Sequence, residues 1–517
     1  MTAHSTKGPF VRLAIGLIAT IIAAPAALAQ EVAQPTPMPA PINTASEVAE
    51  GAMGLRDALV LAYDNNPSLH SERSRLRAAD ERYVQARAAY GPSLTLQGDY
   101  GYSRDRIEQL PGRSVVLNGF SGTAAAIVSQ PLYTSGRLKS TENQAFATVL
   151  QGREELRLAE IQTMQNTILS YVGVLLSRNL LEIAADNLVI LDRQRSEGRT
   201  RFGVREITAT DFDQIVSQAE FARARVALAR GSLTSSEAQF LQVIGALASD
   251  LQALPPLPTL PATIEDGYVE AERNNPELLA ARARERASRA QKQRVGAENG
   301  PQVRLQGQMS YGAVSNYNFD RTQTLGRSRI IVEMPLFTSG LNQAREREAA
   351  QLNDADWRLA DQTLRDVRQQ VADSWQGLVA ARASIGAYRA STAAAQRAYE
   401  GAEIQQRAGD RSTKEVLDLA REMLVARSNL ASAAANEYVN AARLLAVMGQ
   451  LDLASLVPDA ATFNAEAEFR KARHRGDTPP VTQLIRAVDG VLIPSHRKDK
   501  PSRDPAADLR LPYEHLD

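Results

Sequence analysis

The sequence contains one unit twice, and this duplication restricts the possible folds more than any other feature. Residues 91–103 read GPSLTLQGDYGYS and residues 300–312 read GPQVRLQGQMSYG; six of the thirteen positions are identical, at an offset of 209. Upstream, GLRDALVLAYDNNPSL (54–69) aligns with TIEDGYVEAERNNPEL (263–278) at the same offset. Downstream, QPLYTSGRLKS (130–140) aligns with MPLFTSGLNQA (334–344), and the offset is 204. The new offset persists, so that Asp211 falls on Glu415 and Gly245 on Gly449. One gap of five residues, between 104 and 130, reconciles the copies. A length change survives most easily in an exposed loop. The fold must therefore be built from two similar halves of roughly two hundred residues.

Sequence around the duplication sets its limits. Lys7 and Arg12 precede the apolar run LAIGLIATIIAAPAALA, which closes on Ala27-Leu28-Ala29. That is the pattern of a secretory signal peptide, here 1–29. QPTPMPAP (34–41) predicts a Pro-rich flexible lead-in over 30–53, and LPPLPTLP (254–261) a stiff extended linker over 254–262. The first repeat then spans 54–253 and the second 263–457. Beyond 458 the periodicity decays into polar, Pro-rich sequence, which predicts a poorly ordered C-terminal tail over 458–517.

Composition removes several function classes. Lys+Arg and Asp+Glu both total 59, so the net charge carries no nucleic-acid footprint. There is no cysteine, which excludes a disulfide framework and an acylated N-terminal Cys. The five histidines are His4, His70, His474, His496 and His515. No metal-ligand spacing and no Ser-His-Asp pattern recurs in both halves, so no enzyme, metal site or cofactor is expected. No stretch of about 18 apolar residues follows the signal. The best candidate, 171–191, is interrupted by Arg178, Glu182 and Asp186. A membrane-spanning form would have to be a closed β-barrel.

Each half mixes short alternating segments with very long helical ones. Leu94, Leu96, Tyr100 and Tyr102 fall on one face of a strand, with Thr95, Gln97, Asp99 and Ser103 on the other. In the second copy Val303, Leu305, Met309 and Tyr311 oppose Arg304, Gln306, Gln308 and Ser310. Strand pairs are expected at 93–130 and 301–335, with loops over 104–119 and 313–325. Such alternation suits any half-buried sheet, soluble or outer-membrane. From 137 to 200 and from 341 to 408 there is no Pro, and apolar residues step by three and four. Examples are Ile161, Met164, Ile168, Val172 and Leu175, and Leu364, Val367, Val371, Trp375 and Leu378. A helix of about 65 residues is roughly 100 Å long, and sustained 3–4 spacing argues coiled-coil packing. Shorter helices at 55–90, 209–246, 264–299 and 412–449 would lie beside the long ones. Two strand pairs cannot close a barrel, since small barrels have eight strands, so several copies are required.

The paired motifs DNNPSL/RNNPEL, GPSLTLQG/GPQVRLQG and QPLYTSG/MPLFTSG, with RFGVREITATD and RAGDRSTKEVLDLA, resemble the TolC family of outer-membrane efflux and type I secretion channels over 54–450. The resemblance implies a mainly α fold with a small β part. In it, a homotrimer forms a 12-stranded barrel in outer-membrane lipid, continued by an α-helical tunnel through the periplasm. It implies an exit duct for small molecules or proteins, working with a periplasmic adaptor and an inner-membrane transporter of ABC or RND type. It places Glu415 and Asp418 as acidic rings at the pore constriction, and Asp211 with Arg411 as a gate-locking pair. Arg201, Phe202, Arg205 and Gly409 fall in the hairpin turns that contact the adaptor. Two departures stand out: Gln406 replaces a frequent aromatic, and Arg205 a frequent Gly. The missing acylatable Cys favours the secretion-type branch. The competing reading is a non-channel periplasmic coiled-coil adaptor or structural protein; an adaptor would have only one hairpin per chain.

Overall fold

The computed structural model describes residues 52–110, 113–475, 477 and 479–491. The expected signal peptide and nearly all of the lead-in lie outside them. The described chain is mainly helical, with one small antiparallel sheet. Each copy of the repeat contributes two helices, a strand pair, a long helix and a shorter returning helix.

The Asn-Pro motifs explain the first break in each copy. The sequence reading placed single helices over 55–90 and 264–299; each is instead two. They are α1 (Leu55–Asn65) and α2 (Pro67–Ala88), then α5 (Ile264–Asn274) and α6 (Pro276–Ala297). A residue before Pro is disfavoured in the helical region, and Asn66 and Asn275 are extended, with ψ of 115° and 119°. Each Asn then caps the helix it precedes. Asn66 Oδ1 accepts from the Ser68 and Leu69 amides at 2.9 and 3.3 Å, and Asn275 Oδ1 from the Leu278 amide at 3.0 Å. The prolines occupy the helix start, where a missing N–H costs nothing.

Strands β1 (Ser93–Leu110), β2 (Arg113–Tyr133), β3 (Gln302–Ser315) and β4 (Asn318–Glu333) form a meander in the order β1-β2-β3-β4. The expected loops at 104–119 and 313–325 are mostly strand: pairing continues to Leu110↔Arg113 and Ser315↔Asn318. Alternation there is blurred by Arg104, Arg106 and Glu108 beside Val115 and Leu117. Register aligns the apolar residues of all strands. Leu96 opposes Ala126, which opposes Met309, which opposes Gly326; Leu305 opposes Ile330. Gly119 and Gly312 lie where backbones crowd. A Cβ on Gly119 would overlap the Tyr317 carbonyl, and one on Gly312 would lie 2.6 Å from the Gly122 carbonyl.

Strand passes to helix through the TSG motif. Ser135 and Gly136 have φ of 55° and 84°, and Ser339 and Gly340 have 48° and 82°. Two successive left-handed residues turn the chain into α3 (Arg137–Gly203) and α7 (Leu341–Ala408), helices of 67 and 68 residues. These return as α4 (Ala209–Ile244) and α8 (Thr413–Val447). One core joins both copies: Met164, Ile168, Tyr171 and Val174 with Phe240, Leu364, Val367, Val371, Leu444 and Met448. Leu175 and Trp375 pack at its margin. One 18-residue window of α3 has a mean hydropathy of 1.4, apolar enough by composition to cross a membrane, which amends the sequence reading. Met164, Ile168, Tyr171, Val172 and Val174 of the same helix belong to this core.

The tail also needs correction. Residues 458–491 are not poorly ordered throughout: α10 (Ala465–Ala472) and α11 (Val481–Val491) are helical, after the short α9 (Leu453–Leu456). Phe469 packs on Tyr83 with ring centroids 5.2 Å apart. Arg87 grips Asp477 through two bonds of 2.8 and 2.7 Å. Ile485 is buried with Tyr90 and Leu138. Asp489 is fully buried at the start of α3, where it accepts from the Thr134 amide at 2.7 Å, the Thr134 hydroxyl at 2.9 Å and the Gly136 amide at 3.2 Å. Its second oxygen accepts from the Lys139 amide at 3.4 Å, one of the first-turn amides that a helix start leaves without partners. Residues 492–517 lie outside the described residues. Asp489→Ala strands these buried donors, a loss of about 1–3 kcal/mol. Limited proteolysis should then cut near 475–491 much faster than in the wild type.

Candidate functional site

The hairpin tips, farthest from the sheet, hold the residues that the resemblance singles out. The first turn joins α3 to α4 through Val204–Thr208 and the second joins α7 to α8 through Gly409–Ser412. Both need one left-handed residue, at the same place in the repeat. In the second it is Gly409, φ 86°; in the first it is Arg205, φ 58°. A side chain in this region costs roughly 1–2 kcal/mol. Arg201 closes the first turn by an ion pair to Glu206 at 2.8 Å, and Phe202 stacks on Phe212 with centroids 5.5 Å apart. Phe202 remains 42% exposed and Val204 71% exposed, so the turn presents an apolar rim to solvent. Gln406 takes the place of Phe202 in the second copy. It is buried, and its Nε2 donates to the Thr413 hydroxyl at 3.2 Å. A polar bond across the turn thus replaces ring stacking.

Asp211 and Glu415 occupy equivalent positions and do the same local work. Asp211 Oδ2 accepts from the Thr208 amide at 3.2 Å and the Thr208 hydroxyl at 2.7 Å, while its own amide donates back to that hydroxyl. Glu415 Oε2 accepts from the Ser412 amide and hydroxyl, both at 3.0 Å. Each is the third helical residue of a reciprocal capping box. The Thr208 bonds, side chain first, hold the Asp211 carboxyl below its ordinary range. The Ser412 bonds, backbone first, do the same for Glu415, with Arg411 and Lys414 adding to the effect.

Asp418 lies one turn beyond Glu415, between Lys414 at 3.3 Å and Arg421 at 3.5 Å. Glu415 and Asp418 therefore share a helix face, but cations flank the second carboxylate. Asp211 and Arg411 are not brought together within one chain: among the described residues no ion pair joins them, and Asp211 is engaged by Thr208. The two hairpins do meet near the tip. Leu417 of α8 packs with Leu191 and Ile215 of the first hairpin, and Arg427 reaches Asp186 at 3.6 Å. Gly198 permits the close approach of α3 and α4, since a Cβ there would lie 2.6 Å from Ile215 Cδ1. Among the described residues no group of three or more His, Asp or Glu could hold a metal ion.

Sequence reasoning missed the clamp at the other end of the helices: Glu142, with Arg486 at 2.7 Å and Lys139 at 3.2 Å, beside Asp489. The signal was present in Val481, Leu484, Ile485 and Val488, a helical spacing inside an otherwise polar tail.

A family model described as outer membrane efflux protein matches residues 58–246 and 267–450, one segment in each copy of the repeat. The outer membrane efflux protein BepC of Brucella suis biovar 1 is 28% identical over 81% of this chain and 91% of that protein. The outer membrane protein TolC of Escherichia coli K12 is 23% identical over 75% of this chain and 80% of that protein. The solved outer membrane protein VceC of Vibrio cholerae superposes with a TM-score of 0.68 at 19% identity, over 76% of this chain and 96% of that one.

Two outcomes are expected at the tips. Arg205→Gly should raise stability by up to about 1 kcal/mol, and Gly409→Ala should lower it by a similar amount, as read from denaturation midpoints. The lowered carboxyl pKa values set the sign for pH. The caps contribute fully above the unfolded-state value of about 4 and are lost as pH falls through the lower folded values. Hydrogen exchange of the 204–216 and 409–420 peptides, corrected for intrinsic rates, should stay constant from about pH 7 to 5 and rise only in stronger acid.

Proposed function

We propose that this chain, which belongs to the outer membrane efflux protein family, assembles as a trimer into the exit duct of a tripartite system. The family is one of outer-membrane transport channels rather than enzymes. The observation that carries the trimer is a mismatch between identical motifs. Ser135 is buried, and its hydroxyl donates to the Pro301 carbonyl at 2.7 Å across the junction between the two copies. Its equivalent, Ser339, has the same left-handed conformation, yet it is exposed and makes no such bond among the described residues. The equivalent of Pro301 is Pro92, which precedes β1 at the opposite edge of the sheet. A neighbouring copy supplies Pro92 to Ser339, and β1 of that copy pairs with β4. Three copies of four strands close a 12-stranded barrel, above the eight of the smallest barrels.

In this assembly the face bearing Leu94, Leu96, Tyr100, Met309 and Ile330, all more than 60% exposed in the single chain, meets lipid. The opposite face lines the lumen. The helical hairpins extend into the periplasm, where Glu415 and Asp418 form acidic rings at the constriction; acidic rings favour cations. Asp211 and Arg411 act as the closing pair between neighbouring hairpins, through the Asp211 oxygen not used by Thr208. Arg201, Phe202, Arg205 and Gly409 form the rim to which a periplasmic adaptor docks, with an ABC or RND transporter in the inner membrane. The cargo is small molecules, proteins or both, with a slight lean to the secretion-type branch. The absence of an acylatable Cys supports it.

The chain has no Cys, which permits a direct test. Ser339→Cys combined with Pro92→Cys should give an oxidant-dependent trimer on non-reducing gels, whereas cross-linking within the monomer alone would refute the arrangement. In planar bilayers, Glu415→Ala with Asp418→Ala should reduce cation selectivity. A deletion strain separates the cargoes: missing secreted proteins support secretion, and drug hypersensitivity alone supports efflux.

A further inference from the structure

The polar face of β3 and β4 carries a band of arginines near the helix-side end of the sheet. Arg304, Arg327 and Arg329 share one face, since Gln306 opposes Arg329 and Gln308 opposes Arg327. All three are exposed. Arg304 forms a two-bond ion pair with Glu333, at 3.0 and 2.9 Å. Among the described residues Arg329 donates only to the neutral Gln306 amide oxygen, at 3.1 and 2.9 Å. No ion pair or hydrogen bond to Arg327 is present among the described residues. The same band of β1 and β2 supplies Thr95, Ile127 and Ser129, which are neutral. Asp99 pairs with Thr123, which opposes Gly312, four residues farther toward the turn than Gln308. That is about 13 Å along the strand. Arg327 and Arg329 are themselves about 7 Å apart along β4, within a Debye length of about 8–10 Å.

We infer that Arg327 and Arg329 form an anion-binding collar in the barrel lumen, which takes phosphate- or carboxylate-bearing solutes as they leave the tunnel. The inference rests on the reading above that this face lines the lumen. Within one chain Glu333 pairs with Arg304, and neither Arg327 nor Arg329 meets a carboxylate among the described residues. A ring of three copies places six such guanidiniums around one short length of channel. Arginine rings are the usual lining of anion and phosphate pores, because the planar guanidinium meets either oxyanion through two parallel bonds. The Gln306 bond fixes Arg329 in the sheet, so part of its ordering cost is met before a solute arrives. The collar is opposite in sign to the acidic tip, and the two act in series.

The test uses the purified full-length channel in planar bilayers, with tripolyphosphate added on the barrel side. Wild type should be blocked, and Arg327→Gln with Arg329→Gln should need at least ten-fold more tripolyphosphate and shift several-fold toward cations in a salt gradient. Arg327→Gln alone breaks no bond seen in the sheet and should give part of both effects, which guards against a folding defect in the double variant. Arg327→Cys, in this cysteine-free chain, should lose conductance on reaction with a charged thiol reagent. If labelling alters the current yet tripolyphosphate blocks all forms equally, the lumen assignment stands and the collar is overturned. If wild type carries no current, the channel reading fails and the collar with it; if wild type conducts but labelling leaves the current unchanged, Arg327 does not line the lumen and the collar is overturned.

Discussion

The structure depends on backbone groups at the two sheet edges that one chain cannot satisfy. Among the described residues β1 pairs only with β2 and β4 only with β3, which leaves an 18-residue and a 16-residue strand each with one open side. In water such edges invite promiscuous pairing. In lipid they are untenable, because no solvent replaces the missing bonds. The continuous apolar face removes the option of leaving the sheet in water. The remaining way to satisfy both demands is to pair the edges with each other across copies. The duplicated sequence suits this, because the contact between its halves inside one chain is the template for the contact between chains.

The two halves are nevertheless not equivalent where the strands become helices. The first junction is covered by α11, with Asp489 on the helix start and Ile485 among Tyr90 and Leu138. In the second copy Tyr90 and Leu138 become Asn299 and Asn342, and Leu336 and Phe337 stand 89% and 86% exposed. Among the described residues the apolar floor that receives α11 is found at the first junction alone. The C-terminal segment therefore breaks the internal symmetry, and distinguishes the long helix anchored beside the sheet from the one left open.

Much of this was legible in the sequence, for stated reasons. The TSG junctions and the terminal glycines Gly245 and Gly449 are local signals set by φ and by capping, and the repeat shows each of them twice. The Asn-Pro breaks are equally local, but the unbroken helical spacing on either side reads as single helices over 55–90 and 264–299. The 3–4 spacing of Met164, Ile168 and Val172 found the core because coiled-coil packing is periodic. Other features were not local. Strand length near the turns was hidden because Arg104 and Glu108 do not alternate with their neighbours. Asp489 reaches the first junction across more than three hundred residues, and no spacing rule encodes that contact. At the tips, capping chemistry fully accounts for Asp211 and Glu415 within one chain, so any role they have in gating must come from neighbours that a single sequence does not display.

The register of the strand pairs has a consequence for how this protein can change over generations. The junctions at Ser135 and Ser339 fix the phase of every strand from its helix-side end. A single-residue insertion inside a strand would turn everything beyond it inside out. Length can vary freely only at the outer tips, beyond the last pairs Leu110↔Arg113 and Ser315↔Asn318. Both hairpins shift register close to those tips, between Glu108 and Leu110 and between Ala313 and Ser315. The five-residue difference between the copies is odd, and it is absorbed in this outer region. Selection can therefore remodel the surface farthest from the tunnel while the lining of the passage keeps its phase.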